Sequence, residues 1–143
     1  MVEKVSQMMV DEHSGMKIDL EEKLGMFDDT WSPKIIAGLN GQEVKLAKFE
    51  GAFDWHAHEN EDELFLVVHG EFTMEFHDRS VALCEGEMIV VPRGVEHRPV
   101  AEQECHVLLF EPSGIINTGN ARKSDKTNTA RWLEGLDPPS TPR

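Results

Sequence analysis

Through the middle of the chain, apolar and polar residues alternate with the period of strands rather than helices. Phe72, Met74 and Phe76 interleave with Glu71, Thr73, Glu75 and His77, which predicts a half-buried strand. Apolar runs predict further strands at Ile35–Leu39, Val44–Phe49, Glu63–Val68, Val81–Leu83, Met88–Val91, Val95–Val100 and Cys105–Phe110. Ala52–His58 reads as another, with Asp54, His56 and His58 on one face and Phe53, Trp55 and Ala57 on the other. Turn residues separate these runs: the hairpin pair Asn40-Gly41, then Glu50-Gly51, His69-Gly70, Asp78-Arg79-Ser80, Glu85-Gly86, Pro92-Arg93-Gly94 and the polar Glu102-Gln103-Glu104. Roughly eight to ten short strands at this spacing predict an all-β sandwich or barrel.

Helical spacing shows in one place. Leu20, Leu24 and Phe27 follow Asp19, an N-cap residue with Glu22 three positions later, so a short helix is expected from about Leu20 to Phe27. Residues 1–17 are polar and Met-rich and predict an arm without order of its own, His13 included. Beyond the strands, Asn117-Thr118-Gly119-Asn120 reads as turns and Ala130–Leu133 as a helical patch docked on the barrel. Pro138-Pro139 to Arg143 reads as a disordered tail. The expected division is an N-terminal arm and helix at 1–30, a β-barrel at 31–116 and a polar C-terminal tail at 117–143.

Composition narrows the function. At 143 residues the chain suits one domain with a real core. A formal net charge of −13 argues against nucleic acid and anionic membrane surfaces, both of which need clustered Lys and Arg. No apolar run approaches the ~20 residues of a membrane span, and the start lacks a secretory apolar core, so a cytoplasmic location is expected. Cys84 and Cys105, without a Cys-x-x-Cys, read as reduced thiols. Phe65, Phe72, Met74, Phe76 and Met88 are expected in the core, and His69 and His77 at exposed turns.

The candidate chemistry lies in Trp55–Glu63 and Pro92–His97. His56 and His58 sit two apart in extended chain and project the same way. Glu63 opens the next strand, and Pro92-Arg93-Gly94 turns the chain so that His97 can return toward them. Three imidazoles and a carboxylate suit a divalent transition metal. Glu59, Glu61 and Asp62 read as a solvated loop. Asp54 shares the histidines' parity and is a candidate to hold a ligand imidazole. His106, on a face with Leu108 and Phe110, reads as a core histidine, with acid–base work near the metal as the functional alternative. Arg98 should point opposite to His97.

These residues resemble the cupins. The first cupin motif is matched by Gly51, His56, His58, Glu63 and Gly70, and the second by Gly86, Pro92, Gly94 and His97. Four residues rather than five separate Gly51 from His56, and Ala101 stands where the second motif closes on Asn. The wording around Trp55–Phe65 is similar to small single-domain cupins often labelled mannose-6-phosphate isomerase-like. The resemblance implies a double-stranded β-helix, or jelly roll, holding one metal (Fe, Mn, Zn or Ni) on His56, His58, Glu63 and His97. It implies a small-molecule ligand and a homodimer with N-terminal segments crossing between subunits. Dioxygenase- or isomerase-type chemistry is the leading function, and a non-catalytic binding module the alternative. His106 or Asp54 facing the metal would favour the enzyme; a pocket without an acid or base would favour the binding module.

Overall fold

The computed structural model describes residues 15–133. The expectations for the arm before residue 15, His13 included, and for the tail from Pro138 lie outside the described residues. One helix, α1 (Leu20–Leu24), precedes eight strands. These are β1 (Lys34–Leu39), β2 (Gln42–Ala52), β3 (Glu63–His69), β4 (Glu71–Phe76), β5 (Ser80–Cys84), β6 (Met88–Val91), β7 (His97–Pro112) and β8 (Arg131–Trp132).

The sheet is built on β7. One edge of β7 pairs antiparallel with β2 along nearly its whole length. Its other edge is shared: Val100 to His97 pair with β4, and His106 to Phe110 pair with β3. A strand with different partners at its two ends joins both layers of a jelly roll, and the chain is of this all-β class. β5 extends β4, β6 extends β3, and β1 and β8 extend β2. The β1–β2 hairpin turns at Asn40 and Gly41, whose φ of 51° and 75° fit a tight two-residue turn.

Alternation places two apolar layers. Residues facing the barrel interior include Ala47 and Phe49 of β2, Phe65 and Val67 of β3, Phe72, Met74 and Phe76 of β4, and Val107 and Leu109 of β7. Outside the wall, Leu24 and Phe27 pack with Ile36, Leu46 and Leu133. The helix is shorter than expected, ending at Gly25, but its cap holds: Glu22 N–H donates to Asp19 Oδ1 at 3.2 Å.

Four expectations need correction. β2 ends at Ala52, and residues 53–58 are not a strand; only His56 makes an isolated bridge, to His97. Phe53 accordingly packs into the interior beside His56 rather than away from it. Glu102-Gln103-Glu104 is not a turn: it is an irregularity within the single strand β7, opposite the step from Phe49 to Gly51. Met88 is exposed, because β6 pairs only with β3 and its outward side is uncovered. Finally, Ala130–Leu133 forms no helix: Arg131 and Trp132 pair parallel with Lys34 and Ile35, although Leu133 does dock and is buried.

Candidate metal centre

His97 opens β7 and Glu63 opens β3, so both project from strand ends into the interior. His56 is brought opposite His97 by the bridge between them. His58 is fixed through its carbonyl, which accepts from Gly94 N–H at 2.9 Å. Gly94 has a φ of +78°, which a side chain rarely adopts, and this turn ties the two histidine-bearing segments together. Asp62 reinforces the tie, its Oδ1 accepting from Arg93 N–H at 2.9 Å.

The four side chains converge. One donor atom from each of His56, His58, Glu63 and His97 lies within 4.8 Å of the others, and all four residues are buried. Glu63 Oε1 is 3.4 Å from His58 Nε2 and 3.8 Å from His97 Nε2. The Nδ1–H groups of His56 and His97 donate to the carbonyls of Asp54 and Val95 at 2.8 and 2.9 Å. That fixes the tautomer and leaves each Nε2 lone pair free for an ion. Among the described residues, four buried polar side-chain atoms have no hydrogen-bond partner: His58 Nε2, Glu63 Oε1, His97 Nε2 and His106 Nδ1. Three of these belong to the cluster, and such atoms normally cost free energy unless something binds them. A divalent transition metal fits both the donor types and the spacing.

The electrostatics favour the same ion. Burial, with His97 adjacent, pushes the His56 imidazole down to about 4, so it is neutral near pH 7. Burial alone would raise Glu63, but the His58 and His97 imidazoles beside it hold it well below the usual carboxylate range. Glu111 of β7 lies beside Glu63. Burial and the Glu63 charge push Glu111 well up, against the pull of Lys45.

The other sequence candidates lie elsewhere. Asp54 does hold the His56 imidazole, but through its backbone carbonyl; its carboxylate accepts from Ser124 Oγ at 2.6 Å. His106 stands on the face of β7 opposite His97 and bonds Glu104 Oε2 at 2.7 Å, so it does not approach the cluster. Arg98 turns outward to Glu75, as its parity predicts, and Arg93 pairs with Asp62 on the surface.

Sequence reasoning missed an aromatic cavity next to His56. It encloses about 30 Å³, room for about one or two waters, and its walls are Trp31, Phe49, Phe53 and Phe65. His56 and Asn117 are polar members of the lining, and no Lys, Arg, Asp or Glu lines it among the described residues. Trp31 stacks on Phe49 and Phe53 at 4.6 and 4.7 Å between ring centroids. Nothing local to Trp31 signals the cavity, because its ring partners lie 18 and 22 positions further on.

A jelly roll with three imidazoles and one carboxylate gathered at its strand ends defines a class, and comparison with known proteins places the chain in it. Residues 42–111 match the cupin domain family. The chain is similar to a cupin-2 domain containing protein from Shewanella frigidimarina, at 43% identity and a TM-score of 0.66, covering 66% of this chain and 93% of that one. It is also similar to protein NMB1881 from Neisseria meningitidis, at 37% identity and a TM-score of 0.63, covering 68% and 99%. The uncharacterized protein YdbB of Bacillus subtilis is 39% identical over 64 residues, 44% of this chain and 57% of that protein. The chain thus matches little more than half the length of that curated relative. It belongs to the cupin family.

Proposed function

We propose that this cupin binds one divalent transition metal on His56, His58, Glu63 and His97 and uses it on a small, largely apolar molecule. The observation that carries the reading is the convergence of four buried donor groups, three of them with an unpartnered atom aimed into the cluster. An ion held there supplies Lewis acidity or one-electron chemistry, with dioxygen as the external oxidant in the second case.

The chain's own groups shape what can react. Phe49, Phe53, Phe65 and Trp31 exclude water and offer flat apolar walls, while His56 marks the end nearest the metal. A cavity of about 30 Å³ is well below the ~300–1,000 Å³ usual for small-molecule sites, so a ring can enter beside His56 only where the aromatic walls move apart. A phosphosugar would need a cation in the lining. Arg93 and Arg98 are committed to surface partners, which speaks against the mannose-6-phosphate isomerase-like label. Isomerisation also needs a protein acid or base, and neither Asp54 nor His106 reaches the cavity. Oxidation of a phenolic or similar ring needs no such base, so dioxygenase-type chemistry is the preferred reaction.

The displacement of Asp54 and His106 equally favours a second reading, a cupin that binds metal and ligand without turnover. Oxygen uptake separates the two. Iron-loaded protein given catechol or a comparable phenol should consume dioxygen, and the Glu63→Gln protein should not. Binding of the phenol without uptake would leave the binding module.

A further inference from the structure

The cupin match ends at residue 111, yet the chain beyond it folds back onto the candidate metal centre. Ala57 is the residue between His56 and His58, and its backbone has no strand partner. Asn120 takes that place: Ala57 N–H donates to Asn120 Oδ1 at 2.8 Å, and Asn120 N–H donates to the Ala57 carbonyl at 3.0 Å. Ala57 is buried, so losing one of these bonds would strand a backbone group away from water. The preceding residue makes the approach possible. A Cβ on Gly119 would fall 2.3 Å from the Ala57 carbonyl oxygen and 3.3 Å from His56 Cδ2. Gly119 also has a φ of +54°, in the left-handed region.

The same segment braces the cavity. Asn117 and Asn128 each donate from Nδ2 to the Trp31 carbonyl at 3.1 Å, holding a residue whose own φ is +58°. Its far end is anchored by the Arg131–Trp132 pairing to β1 and by buried Leu133.

We propose that Gly119 and Asn120 are positioning residues for the metal centre: they clamp Ala57 from outside, and so set the separation and aim of the His56 and His58 imidazoles. His97 fixes His56 from one side through the backbone bridge, and Asn120 fixes the next residue from the other. With both in place, two ligands on an irregular stretch are held as firmly as ligands on a strand. The inference rests on the metal reading above and adds to it a part of the chain outside the matched domain.

Cobalt(II) tests it, because its visible spectrum reports ligand geometry directly. Full-length protein is titrated with cobalt(II), and affinity, spectrum and the thermal midpoint of the metal-free form are recorded. Asn120→Ala should weaken binding about tenfold or more and alter the visible bands, as losses around metal ligands do. Asn120→Asp keeps the acceptor for Ala57 N–H and should restore both affinity and spectrum. Gly119→Ala should behave like Asn120→Ala or worse; if it fails to fold, the two Asn120 variants carry the test. Thr127→Ala removes hydrogen bonds within the same segment, to Thr118 and Ser124, without touching Ala57. It should lower the midpoint and leave the cobalt spectrum unchanged. Wild-type spectrum and affinity in Asn120→Ala would overturn the clamp and leave the metal site standing. Wild-type protein that takes up no cobalt would overturn both.

Discussion

Lys45 Nζ lies 2.7 Å from Glu111 Oε2 inside the barrel, and the lysine side chain is only 1% exposed. Both residues have the inward parity of their strands, alongside Ala47 and Leu109, so the pair is part of the interior. Glu43 approaches the same ammonium at 3.6 Å, and Glu111 in turn faces Glu63 of the cluster. Lys45 therefore supplies the positive charge that lets two carboxyl groups share the barrel interior beside three imidazoles.

Lys45→Met should destabilise the chain, but by less than the about 3–5 kcal/mol usual for stripping one partner from a buried ion pair, because Glu111, already pushed well up, can take a proton. The double variant Lys45→Met, Glu111→Leu should recover much of that loss, since the pair as a whole contributes far less than its halves cost when separated. Urea unfolding of the two single variants and the double variant checks this. Additive losses would mean that the two groups are not coupled.

Acid should weaken the metal-free fold through His56. Its folded value is about 4, against an unfolded value near 6.5. Between those values the unfolded chain binds the additional proton, so stability rises with pH in that window. The contribution is fully present above about pH 6.5 and is lost as the pH falls toward 4; it amounts to about 3 kcal/mol at most. Unfolding free energies at pH 7 and pH 4.5 should therefore differ more in the wild-type protein than in His56→Gln. Equal differences would show that His56 is not held neutral by the fold.

Trp31 combines a positive φ with a stacked ring. Trp31→Ala should cost about 3–5 kcal/mol, as truncation of a core aromatic does. Glycine is normally about 0.5–1 kcal/mol worse than alanine within regular structure. At a φ of +58° that order should vanish or invert, so Trp31→Gly should be at least as stable as Trp31→Ala. Thermal midpoints of the two variants decide the point.

The four-residue cluster and the barrel were legible in the sequence because both depend on short-range spacing. His56 and His58, Gly94 with His97, and the alternation through Phe72, Met74 and Phe76 are patterns within a few residues of each other. What escaped it depends on partners far away. Residues 53–58 look like a strand in composition, but β7 pairs at Val100 and Ala101 with the end of β2, and beyond that it bonds only Phe53, through Pro99, and His56, through His97. Glu102-Gln103-Glu104 looked like a turn from polarity alone; the absence of Gly, Pro, Asn or Asp there was the signal against one. The polar stretch after Gly114 looked like a tail because its asparagines bond backbone groups 63 to 97 positions away. Nothing local distinguishes an asparagine that caps a distant carbonyl from one in solvent.

Removing a ligand should separate metal binding from folding. Glu63→Gln keeps the side-chain shape and loses the charge, so metal affinity should fall by more than the ~10–100-fold typical of outer partners. The circular dichroism of the metal-free protein should stay that of a folded β-barrel, since the interior rests on strands and aromatic packing. Unfolding on this one change would mean that the site is chiefly structural.

The most direct test is elemental analysis of the full-length protein as purified and after exposure to iron(II), manganese(II), nickel(II) and zinc(II) at neutral pH, beside His58→Ala handled in the same way. The expected result is close to one divalent transition metal per wild-type chain and almost none in a variant that remains folded. A folded wild-type chain that takes up none of these ions, or a His58→Ala chain that holds as much metal as wild type, would contradict the assignment of the four-residue cluster.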